Sequence, residues 1–563
     1  MKKLAIDQIT NSFNFNKNDK VLGPWCFKEN ITLESVLKNK YKKFYIEDKI
    51  DQLKGFKCCE EQYERILKKI AKYLKSQNNS NFSLKFFENY VGYWLLDFIH
   101  LVHYSKRLSD LYKSKYRNEK IELLVKYKDA NFEFIDTLDY LNKTYKNTKF
   151  FSHFVLTFIL QNKPKKWNIK KLQLDNKKIF YKKKTSFFLK LKRSISNLLF
   201  ARVRLVYGFN IFEKIIISLI LIFTKPKIKF NKHNNFCTLI KPSKLSAPVN
   251  DLEMIQLIKR YIPKSFLEIY KKKNNFFFNC KDKVMLGSSS SLLKDDEKFE
   301  PLLFRELGGK IISVQHGSAY GDASVSLHHC HEYLFDKFIS WGQVEHQNYK
   351  VKFYPLPSPQ LRKKIQPHKI KNNKKILFVS TSNLFVQPKY LKMRSFQESC
   401  NRLKNSYLFL KNIKSRFHQH ILYKDSPFGH FSEKELFKKN FKNINFINKI
   451  PENYIPKVKL VIMNNYSTFF FKSLSMNIPT ILFCEKNCWD STSKAKKLFN
   501  ELNKVGIIYH DPKKAAKKLN KNIFDWWYSD KTQKARKLFC NEFALSDRST
   551  FKTWIKFFLN GKL

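Results

Sequence analysis

Along residues 90–108, YVGYWLLDFIHLVHYSKRL, the apolar positions Trp94, Leu95, Phe98, Ile99 and Val102 recur at the spacing of one helix face. Helical patterns of this kind dominate from about residue 60 to 225. Asp97, His100 and His103 interrupt the face and read as hydrogen-bonded core or groove residues rather than a metal site. Before this region, KVLGPWCF (20–27) is a short strand-like run broken by Gly23-Pro24. Past residue 250 the pattern changes. Short apolar runs, KVMLGSSSS (283–291), KIISVQHG (310–317) and FDKFISWG (335–342), alternate with helical stretches. YPLPSPQL (354–361) follows, with three prolines in five residues. Proline can neither donate to a sheet nor continue a helix, so this run reads as a stiff connector. The polar stretch RKKIQPHKIKNNKK behind it marks a domain boundary.

Beyond the boundary the alternation is clearer. KKILFVSTS (374–382), HQHILYKDS (418–426), INFINKI (444–450), KLVIMNN (459–465) and PTILFCE (479–485) read as strands, with helices near 391–412 and 467–476. Apolar strands separated by such helices predict a parallel, doubly wound sheet covered on both faces. The tail from residue 524, with FDWWYSDKTQKARKLFC and TFKTWIKFF, reads as amphipathic helices packing back across the rest.

Composition adds scale. A chain of 563 residues exceeds one core and suggests two or three domains, and 43% apolar content is ample to fill them. The net charge of +61 is spread through every segment together with heavy use of asparagine and isoleucine, as an AT-rich genome produces. Its field attracts anions: nucleotide phosphates, anionic head groups or nucleic acid. No zinc-finger or RNP motif accompanies it, and the basic residues are dispersed, which argues against a reader of nucleic acid. The ten cysteines form no CxxC pair and read as reduced thiols. The start MKKLAIDQITNSFNF has no signal-type apolar run, so a cytoplasmic location is expected. The nine residues IIISLILIF (215–223) fall short of the ~20 that span a bilayer. They read either as a core helix or as a lysine-flanked contact with the inner membrane surface.

Ligands of open parallel sheets sit beyond the carboxyl ends of the strands. There the sequence places Asn464-Asn465 followed by Ser467-Thr468 at the start of a helix, the hydroxyls Ser380, Thr381 and Ser382, and Lys424. Such a set suits a nucleotide phosphate. In the N-terminal half, His316 has the same placement, after the run Ile311, Ile312, Val314 and Gln315. The chain has 13 glycines, about a third of average usage, and six of them lie between 287 and 342. Gly317 and Gly321 remove side-chain bulk beside His316 and let a ligand approach it. The imidazole then serves as a base toward an acceptor hydroxyl, with Asp322 orienting it or competing for the role. HHCHEY (328–333) has no second group at ligand spacing, so no metal site is expected.

The pieces VLGPWCF (21–27), GYWLLDFIHLV (92–102), SVQHGSAYG (313–321), FISWG (338–342), PLPSPQL (355–361), NNYSTFFFKSLSMNIPTILF (464–483), GIIYHDPKKAA (506–516) and DWW (525–527) occur in one order over most of the chain. In them the sequence resembles a family of bacterial transferases found in surface-polysaccharide loci. More broadly it resembles the GT-B glycosyltransferase plan, with relatives among capsule Kdo transferases and CDP-glycerol glycerophosphotransferases. The resemblance implies an α/β fold with two Rossmann-like domains facing a cleft. They would span 1–365, with a helical insertion over about 60–225, and 366–525, with helices 526–563 packing back. It implies transfer of a sugar from a CMP-, UDP- or GDP-linked donor to a glycan or lipid-linked glycan, with no cofactor and no metal. His316 would be the base, and Lys424, Asn465, Ser467, Thr468 and the 380–382 hydroxyls would hold the phosphate. GT-B enzymes often place a ribose-binding Glu in the helix after the Ser/Thr turn. Lys472 stands there instead, so that contact is not supplied by the resemblance. Lys472 then either faces solvent or favours a donor of different charge pattern. Two rival readings are a glycerophosphate-type transferase and a non-catalytic basic protein that binds anionic membrane or nucleic acid.

Overall fold

The computed structural model describes residues 1–6, 16, 18–23, 25–27, 32–38, 40, 42–46, 52–125, 132–146, 149–171, 202–204, 206–224, 226–228, 230, 245–269, 280–281, 283–288, 294–324, 332, 335–343, 353–362, 370–380, 390, 396–425, 433–486, 490–519 and 521–561. Their strands form three sheets in which every pairing is parallel.

The first sheet holds β1 (Lys2–Ala5), β2 (Lys20–Val21), β3 (Ile121–Val125) and β4 (Trp167–Lys171), in the order β2-β1-β3-β4. Long helices, Gln52–Asn78 and Leu84–Lys115, share its core. The second helix starts where the Ser83 hydroxyl accepts from the Phe86 N–H, and it buries Trp94, Leu95, Phe98, Ile99 and Val102. The polar residues on that face are core residues. Asp97 accepts from the Tyr140 hydroxyl at 3.1 Å, and His103 lies between Cys59 Sγ (3.3 Å) and Gln62 Oε1 (2.5 Å). The His100 ring packs against Phe56. Strands β3 and β4 lie inside the stretch whose pattern predicts helices. Both are only five residues long, and β4 (WNIKK) carries just two apolar residues, too few for its alternation to stand out.

The second sheet holds β5 (Val203–Arg204), β6 (Val284–Ser288), β7 (Lys310–Val314), β8 (Lys337–Ser340) and β9 (Phe353–Pro355), ranked in chain order from edge to edge. The proline-rich run thus opens as an edge strand, where a proline without an N–H is tolerated.

The third sheet holds β10 (Lys375–Val379), β11 (Ile421–Lys424), β12 (Asn445–Ile447), β13 (Val458–Met463), β14 (Thr480–Phe483) and β15 (Ile508–Tyr509). Its order is β12-β11-β10-β13-β14-β15. The chain winds outward from β10, then returns to β13 on the other side. This is the doubly wound order with a topological switch point between β10 and β13. The C-terminal helices reach both neighbouring sheets. Phe539 and Phe543 pack with β13 and β14 residues, while Trp554, Phe557 and Phe558 pack on Val203, Leu286, Ile312 and Ile339 of the second sheet.

Candidate active site at the meeting of two sheets

β7 delivers Gln315 into the core, where its amide is used at both ends. Nε2 donates to the Gly317 carbonyl at 2.8 Å, and Oε1 accepts from the Trp341 N–H at 2.8 Å. The Gln315 N–H continues the ladder to the Ile339 carbonyl. Gln360, from the proline-rich run, donates to the His316 carbonyl at 3.3 Å. The main chain under His316 is therefore fixed by three side-chain or ladder bonds.

The imidazole itself is partly exposed, with 30% of the side chain open. Nδ1 lies 2.7 Å from the Tyr320 hydroxyl and 3.8 Å from Oε1 of the fully buried Glu332. Tyr320 is held in turn by stacking on Phe338. Burial lowers the His316 pKa to about 4. At neutral pH the ring is uncharged, which is the state a general base requires.

The loop after His316 runs into the third sheet. The Ser318 N–H donates to Thr468 Oγ1 at 3.0 Å. A Cβ on Gly317 would lie 2.8 Å from the same oxygen. The bulk that Gly317 avoids is thus the Thr468 side chain, where the sequence suggested an approaching ligand. Ala319 and Gly321 both have φ of +78°, a conformation that suits glycine but is rare for alanine. The Ala319 N–H is secured by Asp322 Oδ2 at 3.1 Å. Asp322 is fully buried, and the Tyr466 hydroxyl also bonds its carboxyl. Burial raises its pKa to about 6. Asp322 therefore braces the loop, and Tyr320 and Glu332 stand at His316 Nδ1. The clasp closes with an antiparallel bridge between Ala323 and Ser491. The Thr492 hydroxyl donates to the Gly321 carbonyl at 2.8 Å, and the Ser324 N–H to the Asp490 carbonyl at 2.8 Å.

At the switch point, the buried Asn464 amide donates to Ser380 Oγ (2.9 Å) and Ser406 Oγ (3.0 Å), tying the ends of β10 and β13 together. Asn465 is buried beside it. Ser467 begins the helix Thr468–Ser475 without spending its hydroxyl on the cap. Lys424, at the end of β11, donates to the Asn448 carbonyl at 3.0 Å. Thr381 and Ser382 lie outside the described residues. Lys472 pairs with Glu452 at 3.5 Å, which accounts for the lysine locally. Of HHCHEY only Glu332 is described, and among the described residues no group of three His, Cys, Asp or Glu can hold a metal ion.

The structure brings His316, Gln315, Gly317, Gly321 and Asp322 together with Thr468, and places Ser380 and Asn465 at the adjacent strand ends. Tyr320, Glu332, Tyr466 and Thr492 were missed by sequence reasoning, and Asn464, placed at the strand end, ties two strand ends together rather than facing the site. Tyr320 falls four residues after His316, and Glu332 sits in a cluster read only for metal spacing. Nothing local flags Thr492.

These features define a parallel α/β protein in which a histidine loop from one sheet meets the switch-point side of another. The chain belongs to the LIC12162 family of transferases, whose family model matches residues 2–558. No curated protein matches it.

Proposed function

We propose that this member of a transferase family is a glycosyltransferase of the GT-B plan, acting on a nucleotide-activated sugar and a surface-glycan acceptor. One observation supports the reading above the others: the neutral His316 and the start of the helix Thr468–Ser475 are joined by the Ser318–Thr468 bond across two sheets. Group transfer needs a base on one side of the reacting centre and charge stabilisation on the other. In this reading His316 Nε2 takes the acceptor hydroxyl's proton as the new C–O bond forms at the sugar. The bond from sugar to phosphate breaks, and its electron pair leaves with the nucleotide. The free N–H groups at the helix start, the Ser467 hydroxyl and Lys424 face the developing phosphate charge. The nucleotide lies at the switch point, over Ser380 and Asn465. The site of action is the cytoplasm.

A thermal-shift panel of CMP-, UDP- and GDP-sugars with CDP-glycerol tests this. A ligand of the native state must raise the melting temperature in proportion to its binding. One of the sugar nucleotides is expected to do so at millimolar concentration, with hydrolysis or transfer of its sugar on longer incubation. Stabilisation by CDP-glycerol alone moves the assignment to glycerophosphate transfer, and stabilisation by none overturns it.

A further inference from the structure

The helix Ile211–Phe223 is capped at Asn210 and held by one face. Ile217 and Leu221 pack into the core that contains Trp554 and Phe558. Glu213 is gripped by both terminal nitrogens of Arg362, which also donates to the Gly208 carbonyl. Held this way, the helix cannot roll. Its other face is apolar from end to end. Phe212 is 73% exposed and Phe223 79%, with Ile211, Ile216, Leu219 and Ile222 also exposed. Phe212, Ile216, Leu219 and Phe223 follow one another at four-, three- and four-residue steps, so they form one stripe. Thirteen residues make about 20 Å of helix, too short to span a bilayer. No described helix is long and apolar enough to cross a membrane.

The charge of the sequence on either side of this stripe is one-sided. The sequence from 163 to 250 carries 22 lysines and arginines against two acids, Asp175 and Glu213. Glu213 is already neutralised by Arg362. A second copy of the chain would bring the same cationic stretch, and a net charge of +61, against itself. An exposed apolar stripe within a lysine-rich stretch of chain matches an anionic lipid surface, which offers phosphates to the lysines and acyl chains to the phenylalanines.

We infer that this face of the helix Ile211–Phe223 docks the protein onto an anionic bilayer, lying in the interface without crossing it. The proposal does not depend on which group the enzyme transfers.

Sedimentation of the full chain with vesicles tests it. Binding to phosphatidylcholine vesicles containing phosphatidylglycerol is expected, with weaker binding to phosphatidylcholine alone. Part of the binding should survive about 0.5 M salt, where attraction between charges is screened within a few ångströms. Leu219→Ser with Phe223→Ser should weaken vesicle affinity about tenfold or more, with an unchanged melting temperature because both side chains are exposed. Equal vesicle binding by variant and wild type would overturn the docking role of the stripe. So would failure of the wild type to bind anionic vesicles. A dimer that the variant dissolves, without vesicle binding, would assign the stripe to a second copy and equally overturn it.

Discussion

The bond between Tyr320 and Nδ1 of His316 occupies that nitrogen and leaves Nε2 for the proposed base role. A proton on Nδ1, beside the Tyr320 hydroxyl and 3.8 Å from Glu332, is the tautomer that this role requires, since it leaves the lone pair on Nε2. Two groups here, the half-buried His316 and the buried Asp322, are shifted in opposite senses, which makes pH diagnostic. The His316 pKa is lowered to about 4 by burial, below its unfolded value near 6.5. Protonation therefore favours the unfolded chain, and stability from this group is lost as pH falls from about 6.5 to 4. Asp322 is raised to about 6, so its folded form holds a proton more tightly than the unfolded chain. Its contribution is present at low pH and lost as pH rises through 6. If His316 is the base, the acid limb of kcat/KM falls near pH 4. If ionised Asp322 is the base, the limb falls near pH 6. His316→Ala is expected to lower turnover about 10²-fold or more with the melting temperature nearly kept. A stable, fully active His316→Ala protein would remove the catalytic role.

At the scale of elements, the loop 317–324 and the start of the helix Thr468–Ser475 are fitted to each other. Gly317→Ala places a methyl 2.8 Å from Thr468 Oγ1, and crowding of that size costs about 1–3 kcal/mol. Thr468→Ala removes the acceptor of the Ser318 N–H, costing about 1–2 kcal/mol. Because both changes act on one contact, the double variant should cost clearly less than their sum in urea unfolding. Additive losses would mean that the two residues are not in contact. This junction also shows where sequence reading stops. Strands β10 to β14 of the third sheet were legible because each is a short apolar run in a stretch that also reads as helices, whereas β15, two residues long, was not. The polar character of the strand ends was legible too, at Ser380, Asn465 and Ser467. The pairing of Ser318 with Thr468 was not, because it joins positions 150 residues apart and the glycine beside it does not say what approaches it. The first sheet was hidden for another reason. β3 and β4 are five residues each, following the helices Leu84–Lys115 and Lys149–Leu160, and the helical period dominates a window that includes those helices.

At the scale of the whole molecule, the second and third sheets are held together twice: by the His316 loop and by the C-terminal tail. The helix Asp530–Phe543 packs on the third sheet, and its end passes tightly against the second. A Cβ on Gly342 would lie 2.1 Å from the Glu542 carbonyl oxygen, so only glycine admits the crossing. The Leu545 N–H then donates to the Trp341 carbonyl at 2.6 Å, and the Leu545 carbonyl accepts from the Ser358 N–H at 2.8 Å. The helix Thr550–Asn560 lands on the second sheet through Trp554, which is fully buried and donates to the Pro357 carbonyl at 2.9 Å. Trp341 and Pro357 flank residues that hold His316 from beneath, since Gln315 bonds the Trp341 N–H and Gln360 bonds the His316 carbonyl. Release of the chain after Phe543 therefore should loosen the histidine loop while leaving Phe539 and Phe543 in the core of the third sheet. Trp554→Ala should cost about 3–5 kcal/mol in this tail contact, seen as faster protease cleavage after residue 543. Nucleotide affinity should stay near the wild-type value, because the switch point lies in the other sheet. If His316 is the base, turnover should fall, because its loop is no longer held from beneath. A variant that loses nucleotide affinity and turnover together would place the nucleotide on the second sheet. One that loses neither, with its tail demonstrably released, would show that the His316 loop alone holds the two sheets in register.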